Sequence, residues 1–232
     1  METGSRDTLN RFRDRAEAGR LLARKLRAYA DRPDVLVIAL PRGGVPVGFE
    51  IAQALHVPLD VVIVRKLGTP GQEELAMGAI ASGGFRVLNE TVVRELAISD
   101  AEIGSVAARE QQELERRERL YRAGRAAPEI RGRTVILADD GIATGTTTRV
   151  AIAALKAQRP FRIIVAVPVA APSTCEELRK EVDEVICLIA PESLIAIGYW
   201  YENFSPTSDE EVCDLLRQAK EELAGGARNS KN

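Results

Sequence analysis

The chain alternates short, wholly apolar runs with longer stretches in which apolar residues recur every three or four positions. Val35–Leu40, Val61–Val64, Val135–Ala138, Ile163–Val167 and Val185–Ile189 contain no charged residue, the pattern of strands buried on both faces. Between them lie helical patterns. An opening helix is predicted over Phe12–Tyr29, with Phe12, Ala16, Leu22, Leu26 and Tyr29 on its apolar side, and another over Val45–Leu55. After Val64 the chain passes Arg65-Lys66 into a predicted long loop, Leu67 to about Gly84, then a short strand at Phe85–Leu88. Two polar helices follow, Glu90–Leu96 and Asp100–Arg122, the second opened by a capping box of Ser99 and Glu102. A similar box, Ser173 with Glu176, is expected to open the helix before the last core strand, and Ser208 with Glu211 the final helix.

Strands alternating with helices in this order predict an α/β fold with a parallel sheet, helices on both faces and right-handed crossovers. A single domain is expected over residues 1–224. Its core spans about 35–190, with a helical insertion at about 89–125, a C-terminal elaboration at 191–224 and a disordered tail from 225. Ligands in such sheets gather where strands end. The most unusual segments sit at such ends: Pro41-Arg42-Gly43-Gly44, Arg65–Gly71 and Asp139–Thr148.

The last of these carries the most chemistry. Two adjacent carboxylates, Asp139 and Asp140, close a strand; a small-residue turn, Gly141–Gly145, then leads into Thr146, Thr147 and Thr148. N–H groups at a helix start hold phosphate and threonine hydroxyls add donors, whereas paired carboxylates suit sugar hydroxyls or a hydrated cation. A capped strand-to-helix turn needs one Asp, not two. The nucleoside-triphosphate loop pattern is excluded because no Lys follows Gly145.

Composition narrows the field. Of 232 residues, 45% are hydrophobic and 28% charged, which is globular. A net charge of -2 and a pI near 5.7 give no electrostatic support to general nucleic-acid binding. Cys175, Cys187 and Cys213 lie far apart with no C-x-x-C pair, which suggests neither a zinc site nor a disulfide framework and fits a reducing, cytoplasmic setting. No apolar run reaches membrane length, so no membrane partner is expected.

The segment Val135–Thr148 resembles the phosphoribosyl pyrophosphate (PRPP) motif of the type I phosphoribosyltransferases: an apolar strand, two acidic residues, two variable positions and a Thr/Gly loop. The resemblance covers roughly residues 35–189. It implies that Ala143, Thr144, Gly145, Thr146 and Thr147 wrap the 5'-phosphate of PRPP. Asp139 and Asp140 would face the ribose hydroxyls and the water shell of Mg2+, the implied cofactor. Pro41–Gly44 looks like the family's pyrophosphate loop, with Arg42, Gly43 and Gly44 as contacts. Arg65 and Lys66 are similar to a pair in adenine phosphoribosyltransferases, at the start of a mobile loop that covers the site, and are expected to serve catalysis with Asp139 and Asp140. Tyr199, Trp200, Tyr201 and Phe204 cluster after the last core strand of an otherwise aromatic-poor chain; Tyr199 and Trp200 fall where the family's hood stacks on the acceptor base, although a packing role for these aromatics explains them equally well.

The activity implied is transfer of phosphoribosyl from PRPP to an unidentified acceptor, expected to be a nucleobase, with release of pyrophosphate. The alternative is a PRPP- or nucleotide-binding regulator with little catalysis. Hypoxanthine-guanine enzymes carry an Asp where this chain has Ala143, so a purine mechanism using that carboxylate is excluded. A homodimer is the family's habit. The charged helix Asp100–Arg122 reads by default as a solvated arm, with part of the hood or a dimer contact as the alternatives, and His56 as a helix-end residue.

Overall fold

A computed structural model describes residues 11–229. Its centre is a parallel sheet built from β1 (Val35–Ala39), β2 (Leu59–Val61), β6 (Thr134–Ala138), β7 (Arg162–Val169) and β8 (Glu184–Ile189), in the order β2-β1-β6-β7-β8. Every residue of β1 and β6 is buried, as continuous apolar runs require when helices cover both faces. Alternate residues divide between two cores. Val35, Val37, Ala39, Ile136 and Ala138 pack with residues of α1 (Arg15–Lys25), α2 (Gly44–Leu55), α4 (Asp100–Arg122) and α7 (Asp209–Asn229). Leu36, Ile38, Val135 and Leu137 pack with α5 (Thr146–Ala157) and α6 (Pro172–Arg179).

The strand order sets where a crevice opens at the strand ends. From β1 the chain crosses by α2 to β2 on one side; from β6 it crosses by α5 to β7 on the other. Because β1 and β6 are neighbours in register, Ala39 against Ala138, their following loops diverge and open a crevice at the switch point.

Several elements differ from the sequence expectation. The opening helix starts at Arg15, where Asp14 accepts a hydrogen bond from the Glu17 N–H, and Phe12 instead bridges to Tyr201. A 3-10 turn at Arg27–Tyr29 ends this region. The apolar run Val61–Val64 is not one strand: β2 ends at Val61 and β3 (Val64–Thr69) begins a second sheet, the run staying apolar because Val62 and Ile63 are buried as they cross between sheets. The predicted loop after Leu67 is a hairpin of β3 and β4 (Gln72–Ala81), completed by β5 (Phe85–Leu88). Its two-residue turn, Pro70-Gly71, uses Gly71 at φ +76°, a conformation glycine reaches without strain.

The capping box at Ser173 does not form. Pro172 occupies the first helical turn and starts α6 earlier, so Ser173 lies inside the helix. The capping box at Ser99 and Glu102 does form, with both reciprocal bonds. After α3 (Glu90–Glu95), α4 is not a solvated arm: Ile103, Leu114 and Tyr121 are buried in the main core. Arg122 is held by Asp60 (3.1 Å), Glu118 (2.9 Å) and the Val61 carbonyl (3.0 Å). The final helix does not stop at Gly225-Gly226 but continues to Asn229, the glycines lowering helix propensity without terminating it; residues 230–232 of the expected tail lie outside the described residues.

The buried Tyr121 hydroxyl donates to Asp209 Oδ1 at 2.5 Å, tying α4 to the start of α7. Tyr121→Phe is expected to lower stability by about 1.5 kcal/mol, the worth of a hydrogen bond to a charged group. Urea unfolding measures it, and an unchanged midpoint would show that the bond contributes nothing.

Candidate functional site

The crevice is formed by backbone brought very close. Leu40 N–H donates to the Ala138 carbonyl at 2.9 Å, so the loops after β1 and β6 start side by side. A Cβ on Gly44 would lie 2.8 Å from the Ala138 oxygen and 2.9 Å from Asp139 Cα. A Cβ on Gly43 would collide with Asp140 Oδ2 and lie 2.6 Å from its Cγ. Glycine is required at both positions by close approach. The Pro41–Gly44 loop and the acidic pair are one structural unit.

The acidic pair is under electrostatic stress. Asp140 N–H donates to Asp139 Oδ1 at 2.9 Å, holding the Asp139 carboxylate against the Asp140 backbone. Burial, and then repulsion by Asp140, push the Asp139 carboxyl well above the ordinary carboxylate range. Burial also raises Asp140, opposed by the Arg15 guanidinium. Two crowded carboxylates of this kind favour a ligand that brings hydroxyl donors or positive charge.

Beyond them the chain runs from Ile142, whose N–H donates to the Val169 carbonyl at 2.9 Å, into the N-terminus of α5. Gly145 caps this helix at φ +76° and supplies no side-chain acceptor, so the first-turn N–H groups from Thr146 onward have no capping partner. Thr144, Thr146 and Thr147 are exposed around this terminus, with the Thr144 and Thr146 hydroxyls 3.3 Å apart. Two bonds hold the loop from behind: Thr174 Oγ1 to the Ala143 carbonyl (3.1 Å) and Arg149 Nη1 to the Thr144 carbonyl (3.0 Å). Arg149 is itself paired with Glu177 and, at 3.0 Å, Glu181 on and beyond α6. The arrangement is an uncapped helix N-terminus held in place by side chains, a geometry whose chemistry suits phosphate-like anions. Gly145→Val forces a β-branched residue to positive φ, with its Cβ 3.2 Å from Thr174 Cγ2 and 3.3 Å from Arg149 Nη1. Loss of inorganic phosphate binding is the expected calorimetric result, and undiminished affinity would show that the anion binds elsewhere.

The other expected residues are less uniformly placed. Arg42 flanks the crevice, its Nη1 3.9 Å from Asp209 Oδ1. Arg65 and Lys66 lie on β3 rather than in a loop, and successive strand residues face opposite ways. Arg65 is bound to Glu110 of α4 at 2.6 and 3.0 Å, and Lys66 lies 3.4 Å from Glu74 across the hairpin. Neither hydrogen-bonds to the acidic pair. Trp200 is not presented to a ligand: it is buried among Phe12, Ala18, Val169 and Tyr201. This small core seals the C-terminal segment onto α1 and β7, which is why the aromatics cluster there. Tyr199 is half-exposed, edge-on to Trp200 at 5.9 Å and beneath the Arg11 guanidinium.

Two contributors were not anticipated from sequence. Arg15, the first residue of α1, donates through Nε to Asp140 Oδ2 at 2.8 Å. Tyr201 OH donates to the Asp140 carbonyl at 2.6 Å. Tyr201 stood in the aromatic cluster, but nothing local in the sequence marks Arg15. No described helix is long and apolar enough to cross a membrane.

Known proteins are similar to this chain in sequence and in fold. The chain is 43% identical over 213 residues to Rv0571c of Mycobacterium tuberculosis strain H37Rv, provisionally named a phosphoribosyl transferase, and equally to its counterpart MT0597 in strain CDC 1551. The match covers 92% of this chain and 48% of each relative, so the chain spans about half the length of the curated relatives it matches. Its fold is similar to the crystal structure of TT1426 from Thermus thermophilus, at 40% identity and a TM-score of 0.76, covering 90% of this chain and 98% of that one. A family model described as "Phosphoribosyl transferase domain" matches residues 5–202, a span that includes the crevice, the acidic pair and the uncapped helix. The chain therefore belongs to the phosphoribosyl transferase domain family.

Proposed function

We propose that the chain is a Mg2+-dependent phosphoribosyltransferase that binds PRPP and transfers its phosphoribosyl group to a small-molecule acceptor, a nucleobase being the favoured class. The observation that carries this reading is the juxtaposition at the switch point: an acidic pair pressed against the Gly43-Gly44 loop on one side and followed by the uncapped N-terminus of α5 on the other. A sugar bearing phosphate at one end and pyrophosphate at the other matches that order of groups.

In this reading the first-turn N–H groups of α5, with Thr144, Thr146 and Thr147, bind the 5'-phosphate, far from the bond that breaks. They contribute orientation rather than chemistry. Asp139 and Asp140 accept hydrogen bonds from the ribose hydroxyls. Arg42 and the Pro41–Gly44 backbone face pyrophosphate. The C1–oxygen bond to pyrophosphate breaks as the acceptor's bond to C1 forms, pyrophosphate leaves with the bonding pair, and the proton lost by the acceptor nitrogen passes to solvent or to the departing pyrophosphate. Arg65 and Lys66 serve that leaving group only by exchanging Glu110 and Glu74 for phosphate oxygens.

The donor set fits Mg2+ in one particular way. Asp139 and Asp140 offer hard oxygens, but the described residues contain no cluster of three or more His, Cys, Asp or Glu able to hold a metal. Asp139 and Asp140 would hold the ion, with water and substrate oxygens supplying its other ligands, as Mg2+ commonly allows. When bound it neutralises charge on the departing pyrophosphate.

Isotopic transfer from PRPP, followed across a panel of nucleobases with pyrophosphate release measured in parallel, tests the proposal. Labelled nucleotide with at least one base is expected. Tight PRPP binding without turnover on any acceptor would instead indicate a PRPP-binding regulator, and absence of both would contradict the reading.

A further inference from the structure

One nearly buried charged group near the crevice, Arg15, is not used by the proposed chemistry. Arg15 has only 11% of its side chain exposed and meets Asp140, 16% exposed, at 2.8 Å. Its Nη1 donates to the Ser205 carbonyl at 2.8 Å, and its guanidinium lies 3.9 Å from the centre of the Phe204 ring. Phe204 in turn stacks on Tyr201 at 4.9 Å, and Tyr201 OH holds the Asp140 carbonyl. A planar fork satisfied in this way by ring, carbonyl and carboxylate is a fixed strut rather than a solvated surface pair.

The consequence falls on Asp140. Its Oδ2 is occupied by Arg15 and crowded by Gly43, its carbonyl is held by Tyr201, and its N–H is given to Asp139. Oδ1 alone accepts no hydrogen bond from the described residues. We infer that Arg15 is a positioning residue: it clamps one oxygen of Asp140 so that the other is offered, in one orientation, to a sugar hydroxyl. This inference rests on the phosphoribosyl reading and deepens it by assigning ribose recognition to a contact between α1 and the segment that follows β6.

The test separates this role from a merely structural tie. Binding of ribose 5-phosphate and 2-deoxyribose 5-phosphate is measured by calorimetry in Mg2+, for wild type, Arg15→Gln and Arg15→Lys. Wild type is expected to prefer the ribose compound by about tenfold, the worth of a hydrogen bond to a charged acceptor. In Arg15→Gln that preference should collapse to about twofold or less while affinity for the deoxy compound is retained, and Arg15→Lys, with charge but no fork, should fall between. If Arg15→Gln does not fold, Phe204→Leu removes the ring beneath the guanidinium and is expected to reduce the same preference. Equal weakening of both ligands, an unchanged preference, or tighter binding in Arg15→Gln would overturn the role of Arg15 alone. Failure of wild-type protein to bind either sugar phosphate would overturn the phosphoribosyl reading itself.

Discussion

Replacing both Asp139 and Asp140 with asparagine is expected to lower transfer by about a thousandfold or more while the chain stays folded. The pair is where the site concentrates negative charge, and asparagine keeps the shape but not the capacity to accept two charged hydrogen bonds or to hold a cation. The single variants are expected to differ in stability. The Asp139 carboxyl is raised above its ordinary value of 3.8 by burial and by repulsion from Asp140. A carboxylate so raised is no burden while protonated in both folded and unfolded chains, and costs stability as pH rises from the ordinary value through the folded-state value. Asp139→Asn should therefore raise Tm at pH 8 and have no such benefit near pH 4. Asp140→Asn removes the ionic partner of the nearly buried Arg15 and should leave the protein less stable than Asp139→Asn at pH 8. Thermal melts of the singles, with the rate of the double variant, check the assignment; a double variant with wild-type rate would end it.

Gly43→Ala is the second large effect. Gly43 has φ -61°, which any residue adopts, so alanine brings no backbone strain. What it brings is a methyl group into the space of the Asp140 carboxylate. The cheapest relief is rotation of that carboxylate away from Arg15, at an overpacking cost of about 1–3 kcal/mol. A displacement on that scale is expected to reduce kcat/KM about a hundredfold, with secondary structure unchanged. The effect should be specific: phosphate bound at the α5 N-terminus does not touch this contact, and its affinity should be preserved. Wild-type kinetics in Gly43→Ala would show that the close approach of the two loops has no bearing on the reaction.

The parts of this molecule legible in its sequence are those governed by local pattern. The runs at β1, β6 and β7 admit little but a doubly covered strand, and α4 begins and ends at the residues its capping box and charge pattern indicate. The strand-end loops were legible for the same reason, since glycine, paired acids and threonine stand out against apolar neighbours. The hairpin was not, because β4 includes the run Ala76, Met77, Gly78, Ala79, Ile80 and Ala81, where small residues erase the alternation that betrays a half-buried strand. Trp200 could be placed in a cluster but not assigned a side; only its packing against Phe12 and Val169 shows that the ring is interior. Arg15 was least legible. Its partner lies 125 residues away, and a charged residue opening a helix looks in sequence like any solvated one.

Everything proposed for this chain depends on the crevice between β1 and β6 binding PRPP. Calorimetric titration of PRPP in Mg2+, with Gly145→Val and the Asp139→Asn, Asp140→Asn double variant as paired controls, tests it most directly. Saturable binding by wild type is predicted, which both variants lose or weaken by about tenfold or more. No heat of binding in wild type, or binding that neither variant diminishes, would contradict it.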